Sequence, residues 1–361
     1  MMRDTPFLVV DRQRLERNLC AMHEHATTIG VSLRPHAKTH KSPDIARLQL
    51  QHGAVGLTVA TVGEAECMVE LAACTDIFIA FPLWAVGLRA QRLCALARKA
   101  RLRVGVDSVD AVQRLAAAVG AGGADAAPLA VAVEIDCGHH RSGVPPERAA
   151  EIASAAIALG LVVDGVFTFP GHSYAAGMRE RAAADEVVAL KTARDLLVAA
   201  GIPCPVVSGG STPSVAFVSS SSSVLTEIRP GVFCFGDAQQ FELGSIAASD
   251  IALTAHATVV SRRDGVAIVD AGSKILGADR PAYASGFGRV LDCLEARIVA
   301  LSEHHATIHF GSAEVPALGS VLRIVPNHVC NAVNLVDELV VRGASAADES
   351  VWRVAARGKN V

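Results

Sequence analysis

The sequence has few lysines and no long apolar segment. Only six of its 33 basic residues are lysines, so the chain offers few amines that can act as a nucleophile. No stretch approaches the roughly 18 consecutive apolar residues that a membrane-spanning helix needs. The apolar stretch near the start of the chain is flanked by charges and is too short for the core of a signal peptide. We therefore expect a cytoplasmic protein without a membrane partner.

The sequence also lacks a charge imbalance and a cysteine framework. Lys and Arg number 33 against 36 Asp and Glu, a net charge of −3, which argues against a nucleic-acid partner. The nine cysteines are scattered and no two have CxxC spacing, which favours reduced thiols over disulfides. Hydrophobic residues make up 51% of the 361 positions, enough to bury a large core.

Short β-like segments alternate with helical ones over the first two thirds of the chain. Eight such β-like segments occur: 31–37, 55–60, 76–81, 101–107, 129–136, 162–169, 204–210 and 224–231. This alternation predicts an α/β fold, an eight-fold β/α barrel of the TIM type. An open doubly wound sheet is the alternative, but no GxGxxG motif follows the first strand.

After Gly236 the pattern changes to short β-rich segments separated by Gly, Asp and Asn turns. This change predicts a smaller, mainly β C-terminal domain. We place the barrel at 12–243 and the β domain at 244–361, joined by the strand-like start of the chain, 1–11. The serine run 219–223 predicts a low-complexity loop.

The first barrel strand ends in the segment LRPHAKTHK, which carries Arg34, His36 and Lys38. A period of two places these three residues on one face of a strand, which in a barrel is the interior. Burial disfavours the charge of a lysine, and a neutral amine in a cleft suits Schiff-base chemistry. The alternative is a solvated basic loop at the barrel rim with no chemical role.

Other strand ends add polar groups at the same rim. Strand five ends in EIDCGHHRSGV, strand six in FTFPGHSY and strand seven in SGGSTPS. The glycines and hydroxyls of the last segment favour an anion site, since barrel phosphate sites commonly follow strands seven and eight. A metal site in EIDCGHHRSGV and a simple polar loop both remain open.

The segment PNHVCNAVNL carries a second candidate site. His328 and Cys330 are two residues apart, so on an extended segment they point the same way and can bind one divalent ion. Two protein ligands leave coordination positions open for water or substrate, as in catalytic sites. The alternative is a buried cysteine beside a histidine in a polar turn.

Taken together, these motifs resemble the D-threonine aldolase and D-serine dehydratase family, pyridoxal-phosphate enzymes of the alanine racemase fold type. The resemblance runs through most of the chain, because LRPHAKTHK, EIDCGHHRSGV, GHSY, SGGSTPS, TEIRPGVFCFGD, VDAGSK, SEHH and PNHVCNAVNL occur in the family's order. It implies a homodimer that acts on a small D-β-hydroxy amino acid with pyridoxal 5′-phosphate and one divalent metal, Zn or Mn.

The resemblance also assigns roles to residues of this sequence. It implies that Lys38 forms the Schiff base, that Arg141 contacts the cofactor's phenolic oxygen and that Arg229 faces the pyridine nitrogen. His172 is a candidate base, and His328 and Cys330 match the metal pair. The remaining residues expected at the cofactor or its phosphate are Tyr174, Gly209, Gly210, Ser211, Thr212, Gly231 and Val232.

Two reactions fit this set of groups. In aldol cleavage a base removes the proton of the β-hydroxyl and the Cα–Cβ bond breaks to glycine and an aldehyde. In dehydration Lys38 removes the Cα proton, and a D-serine or D-3-hydroxyaspartate substrate yields a 2-oxo acid and ammonia. The segment NLVDELVV after the metal pair resembles the aldolases and favours the first reaction, whereas Cys330 resembles the dehydratases.

Three other functions are less consistent with the sequence. An amino-acid racemase needs a second base, usually a tyrosine, and would leave the metal pair without a purpose; only Tyr174 and Tyr283 occur. A cofactor-binding protein without catalysis is usually a single barrel. A metal-dependent hydrolase would leave Lys38 unexplained.

We predict that Lys38, and not Lys41, carries the cofactor, because Lys38 shares its segment with Arg34 and His36. Borohydride reduction of the cofactor-loaded protein followed by peptide mapping should place the label on Lys38. A label found on Lys41 alone would contradict the assignment.

Overall fold

The computed structural model describes residues 3–120, 129–219, 224–345 and 348–361. Its contacts divide the chain into two compact units. The barrel unit consists of His23–Lys38, Pro43–Gly231 and Lys359–Val361. The β unit contains the chain up to Met22, Thr39–Ser42 and Val232–Gly358. The domain bounds 12–243 and 244–361 themselves remain a prediction, and the serine run beyond Ser219 lies outside the described residues.

The strands form two sheets. They are β1 (Phe7–Asp11), β2 (Ser32–Leu33), β3 (Leu57–Val59), β4 (Asp76–Pro82), β5 (Arg101–Val106), β6 (Ala130–Glu134), β7 (Val162–Phe167), β8 (Val206–Gly209), β9 (Glu227–Ile228), β10 (Leu253–Arg263), β11 (Val266–Val269), β12 (Gly288–Val290), β13 (Cys293–Leu301), β14 (Ala306–His309), β15 (Val321–Pro326), β16 (Glu338–Arg342) and β17 (Glu349–Arg353).

The helices lie mostly between the strands of the first two thirds of the chain. They are α1 (Arg12–Thr28), α2 (Pro43–Gln51), α3 (Val62–Ala72), α4 (Gly87–Ala97), α5 (Val109–Gly120), α6 (Ala149–Ala158), α7 (Arg179–Ala199), α8 (Ala238–Glu242), α9 (Ser273–Leu276) and α10 (Val329–Asn334). Within the ranges given above, no helix is both long and apolar enough to cross a membrane.

The barrel unit contains eight parallel strands in the order β2-β9-β8-β7-β6-β5-β4-β3. A parallel bridge between His36 and Thr58 joins the chain after β2 to β3 and closes the sheet. Inside it, the rings of Phe78 and Phe167 pack edge to face with centroids 5.0 Å apart. The predicted eight-fold β/α barrel is therefore confirmed.

The β unit contains nine strands in the order β11-β14-β13-β12-β15-β10-β1-β16-β17. All pairs are antiparallel except β1 with β16, where Val9 lies opposite Val340. On its other edge β1 pairs with β10, and Phe7 lies opposite His256. The start of the chain thus lies within this sheet, and the expected mainly β second part of the chain is confirmed.

A buried network of ion pairs connects strands across the barrel. Glu227 of β9 binds Arg34 (Oε2 to Nε, 2.5 Å) and Arg103 of β5 (Oε1 to Nη1, 3.3 Å). Arg103 also binds Asp164 of β7 at 3.0 Å, and Arg34 binds Asp76 at 2.7 Å. Burial alone raises the pKa of Glu227, but the two guanidinium groups outweigh it and hold that pKa below its usual range.

The expectation that Arg34, His36 and Lys38 continue one strand face is wrong. The strand β2 ends at Leu33, and Lys38 lies in a 3-10 turn, Ala37–Thr39. Arg34 is held inside the barrel by hydrogen bonds to the carboxylates of Glu227 and Asp76, so its role is structural. The chain therefore separates Arg34 from Lys38 within four residues.

We predict that Glu227→Gln destabilises the protein by about 3 kcal/mol, because two buried guanidinium groups each lose one of their two carboxylate partners. Denaturant unfolding followed by circular dichroism measures the change. Glu295→Gln is the matched control, since Glu295 is 89% exposed and lies 3.7 Å from Arg297. Such a surface pair contributes at most about 1 kcal/mol. Equal unfolding curves for the two variants would contradict the structural role of Glu227.

Candidate active site

Three of the residues expected at the cofactor surround one aromatic ring. Lys38 Nζ lies 5.5 Å from the centroid of Phe169, and the guanidinium carbon of Arg141 lies 5.1 Å from it. The ring of Tyr174 is 6.2 Å away. A ring face attracts cations, so Phe169 holds both charged side chains at one strand end. In the sequence, the only signal for Phe169 is its position just after β7.

A small cavity opens beside this ring. Its lining includes Glu134, His139, Arg141 and Phe169. Glu134 is buried, and its Oε2 atom has no hydrogen-bond partner among the described residues. Burial raises the pKa of Glu134, against the opposing charges of Arg141 and Arg229. An unpartnered buried carboxylate oxygen at a strand end is an acceptor available for a bound molecule.

His172 lies in the short turn Gly171–Tyr174 after β7. Both of its ring nitrogens are buried, and neither forms a hydrogen bond within the described part of the chain. The Nε2 atom lies 3.4 Å from Asp185 Oδ2, and that carboxylate also accepts a hydrogen bond from Arg181 (2.8 Å). An imidazole held in this way can accept a proton from a bound molecule.

The turn Gly209–Thr212 begins at the last residue of β8 and contains Gly210, Ser211 and Thr212. Gly210 has a φ of 76°, a conformation that favours glycine. The Ser211 hydroxyl lies 2.9 Å from that of Ser173 and is buried with it. The N–H of Gly210, one of the donors expected at a phosphate, is instead donated to a buried carboxylate, that of Glu186.

Arg229 is buried between the rings of Phe78 and Phe167, with centroid distances of 5.4 and 5.3 Å. Its Nε atom donates to Ser208 Oγ at 2.8 Å, and Nη2 donates to the carbonyl of Thr168. Burial lowers the pKa of Arg229 to about 10, so the group stays charged at neutral pH. Gly231 and Val232 follow it, where the chain turns after β9.

In the β unit, His328 and Cys330 lie at the start of α10. The expected extended segment is wrong, because His328 is the N-cap and Cys330 lies in the first helical turn. The cause is Asp237, which is fully buried and accepts the N–H of Val329 at 3.2 Å. Cys330 Sγ donates to Thr39 Oγ1 at 3.3 Å.

The His328 ring is oriented by the same carboxylate, since Nδ1 lies 3.4 Å from Asp237 Oδ2. Burial lowers the pKa of His328, but Cys330 and Asp237 outweigh it and raise that pKa well above its usual range. A carboxylate behind an imidazole is the usual support of a metal-binding histidine. Sequence reasoning missed Asp237, although Asp237-Ala-Gln-Gln has the pattern of a helix N-cap.

The side chains of His328 and Cys330 fit one divalent ion, with water molecules as its remaining ligands. An imidazole and a thiol suit zinc and similar borderline ions. In the four ranges that the structure covers, no three His, Cys, Asp or Glu side chains are grouped so that they can hold a metal. The pair would supply two ligands to such an ion and leave the remaining positions to water or substrate.

The barrel residues likewise fit pyridoxal phosphate. Lys38 would supply the amine, and Arg141 places a second cation over the same ring. Glu134 adds an acceptor without a partner among the residues described. The turn Gly209–Thr212 lies after an adjacent strand of the same barrel, as a phosphate site requires.

The family models cover both parts of the chain. "Alanine racemase, N-terminal domain" matches residues 10–239, and "Putative serine dehydratase domain" matches residues 252–342. D-threo-3-hydroxyaspartate dehydratase of Delftia sp. (strain HT23) is 38% identical over 91% of this chain and 91% of its own length. D-threonine aldolase of Arthrobacter sp. is 35% identical over 98% of this chain and 93% of its own length.

Solved structures of related enzymes have the same fold. D-threonine aldolase from Filomicrobium marinum aligns with a TM-score of 0.89 at 33% identity and covers 99% of this chain and 97% of its own. A cysteine-to-alanine variant of D-threo-3-hydroxyaspartate dehydratase in the metal-free form aligns with a TM-score of 0.85 at 33% identity. That alignment covers 98% of this chain and 97% of the dehydratase.

The parallel barrel, the lysine after its first strand and the antiparallel β unit define a pyridoxal-phosphate-dependent lyase of the alanine racemase fold. Its relatives act on small D-hydroxy amino acids. The chain belongs to the D-threonine aldolase and D-serine dehydratase family.

We predict that Asp237→Asn weakens Zn²⁺ binding about 10- to 100-fold, because the variant keeps the acceptor oxygen but loses the charge behind His328. Competition with a chromophoric chelator measures the affinity. Asp250→Asn is the control, since Asp250 belongs to the same unit and its carboxylate accepts the N–H of Ala247 at the turn Ala248–Asp250. Equal zinc affinity in wild type and Asp237→Asn would contradict the supporting role.

Proposed function

We propose that the chain is a metal-assisted lyase of the D-threonine aldolase type, which cleaves D-β-hydroxy amino acids to glycine and an aldehyde. The observation that carries the proposal is His172, whose ring nitrogens are buried and form no hydrogen bond within the described ranges. Aldol cleavage needs a base for the β-hydroxyl proton, and His172 is a base whose proton-accepting nitrogen is available.

The chain's own groups divide the work. Lys38 binds the cofactor, and Arg141 and Tyr174 flank Phe169 beside it. His172 accepts the proton of the β-hydroxyl, and Asp185 stabilises the protonated ring. When bound, pyridoxal phosphate supplies an acceptor for the electron pair of the Cα–Cβ bond.

The phosphate end is assigned to Gly209, Gly210, Ser211 and Thr212, with Gly231 and Val232 following Arg229. The hydroxyl of Ser211 and the glycine turn support this assignment. Arg229 fixes the strand end from which the last two residues follow, because its guanidinium is anchored by Ser208 and Thr168.

We also propose that His328 and Cys330 bind one Zn²⁺ or Mn²⁺ ion. The support is the carboxylate of Asp237 behind His328 and the related dehydratase, one structure of which is described as a metal-free form. Such an ion supplies a Lewis acid for a β-hydroxyl, which is by itself a poor acid and a poor leaving group.

A dehydratase is the second candidate, and Cys330 favours it. The 38% identity to D-threo-3-hydroxyaspartate dehydratase of Delftia sp., over 91% of this chain, also supports that reaction. In this case Lys38 removes the Cα proton and the hydroxyl leaves from Cβ.

We predict that chelation lowers the turnover rate of D-threonine and of D-serine by about 100-fold or more, because the Lewis acid is lost. The absorbance of the bound cofactor should persist. The reason is that Lys38 and the barrel turns hold the cofactor without His328 or Cys330. Added Zn²⁺ or Mn²⁺ should restore activity. Full activity in a His328→Ala, Cys330→Ala double variant would contradict the metal proposal.

The products of D-threonine separate the two reactions. Glycine and acetaldehyde identify an aldolase, whereas a 2-oxo acid and ammonia identify a dehydratase. Chromatography of both product classes from one reaction decides between them. A His172→Gln variant with undiminished aldol cleavage would contradict the assignment of His172 as the base.

We propose a homodimer on the basis of the family resemblance. Light scattering of the active protein should give about twice the chain mass of 37.5 kDa. A fully active monomer would contradict this proposal.

A further inference from the structure

A buried acid that the proposed reaction does not use lies directly behind the glycine turn. Glu186, on α7, is fully buried. Its Oε1 atom accepts the N–H of Gly210 at 2.7 Å. Its Oε2 atom has no hydrogen-bond partner in the parts of the chain that are described. One oxygen of this carboxyl therefore fixes the turn, and the other can carry a proton without breaking that bond.

The turn and the acid fit each other closely. A Cβ atom at Gly209 would lie 2.3 Å from Glu186 Oε1, so any residue other than glycine at this position would collide with the carboxylate. Two titratable groups of neighbouring segments interact electrostatically with Glu186. Arg229, after β9, attracts its charge, and Cys137, after β6, is a thiol whose pKa burial raises to about 12 and which stays neutral.

Burial raises the pKa of Glu186 to about 7, although the Gly210 N–H and Arg229 act in the opposite direction. The carboxyl therefore changes charge near neutral pH. A negative charge at this place repels an anion bound at the turn, and the interaction is strong because the group is removed from water.

We propose that Glu186 is a positioning residue for the turn Gly209–Thr212 and takes up a proton when a phosphate monoester binds there. This proposal rests on the assignment of that turn to the cofactor's phosphate. By linkage, proton uptake on binding means that affinity falls as pH rises through the range in which free Glu186 ionises. The Gly210 N–H bond to Oε1 holds the turn in both states, because the proton goes to Oε2.

The test uses the metal-loaded full chain without its cofactor. Pyridoxine 5′-phosphate is the probe, because it has the phosphate but no aldehyde and cannot react with Lys38. Isothermal titration calorimetry gives its Kd at pH 6.5, 7.5 and 8.5. The second ionisation of the phosphate, at a pKa of about 6, affects all variants equally.

We expect the Kd of wild type to rise about tenfold between pH 6.5 and pH 8.5 relative to that of Glu186→Gln, which is always neutral. Titrations in buffers of different ionisation heat should show uptake of up to about one proton in wild type at pH 8 and less in the variant. Asp195→Asn is the matched control, since Asp195 lies on the same helix in an exposed pair with Lys191. It should behave as wild type.

Three results would overturn the proposal. The first is the same pH dependence in wild type and Glu186→Gln. The second is the same difference between them with pyridoxine, which has no phosphate. The third is the absence of proton uptake in wild type, a measurement that decides even if the variant does not fold. Failure of wild type to bind the probe at any pH would instead remove the phosphate assignment in the proposed function, and this proposal with it.

Discussion

The barrel depends on one buried carboxylate, Glu227, held between Arg34 and Arg103. These three groups belong to three segments that are far apart in the chain, and Asp164 adds a fourth. Because an unpaired buried charge is costly, these ion pairs favour the register in which the strands bring the four side chains together. Lys38 follows Arg34 by four residues and Arg229 follows Glu227 by two. The same interaction that closes the barrel therefore sets the starting points of both site segments.

Three buried acids of the barrel unit, Glu227, Glu134 and Glu186, differ in their contact with arginine. The pKa of Glu227 is lowered by two guanidinium groups, although it is deeply buried. Glu134 and Glu186 accept no hydrogen bond from an arginine within the described residues, and burial raises the pKa of both. The positive charge beside Glu227 does not change with pH, because arginine keeps its proton at working pH and the sequence has few lysines. Burial without an arginine hydrogen bond thus raises the pKa of Glu134 and Glu186, whereas ion pairing lowers the pKa of Glu227.

Much of the fold follows from local patterns, since strands and helices alternate visibly and the change after Gly236 is abrupt. The grouping of Lys38, Arg141 and Tyr174 also follows, because parallel strands bring their carboxyl ends to one edge. The sequence could not reveal the roles of Arg34 or Asp237. Their partners are 193 and 92 residues away, and only the closed fold brings them together. The helical start of α10 was missed for this reason, since the carboxylate that accepts the Val329 N–H is distant in the chain.

The contact between Gly209 and Glu186 has a consequence for how this sequence can change over time. An alanine at position 209 collides with the acid, so that substitution becomes acceptable only after position 186 has taken a shorter residue. A shorter residue at 186 in turn leaves the Gly210 N–H without its acceptor. Substitutions at the two positions are therefore epistatic, because each depends on the residue at the other. A mutational library that randomises only one of them should contain few folded variants.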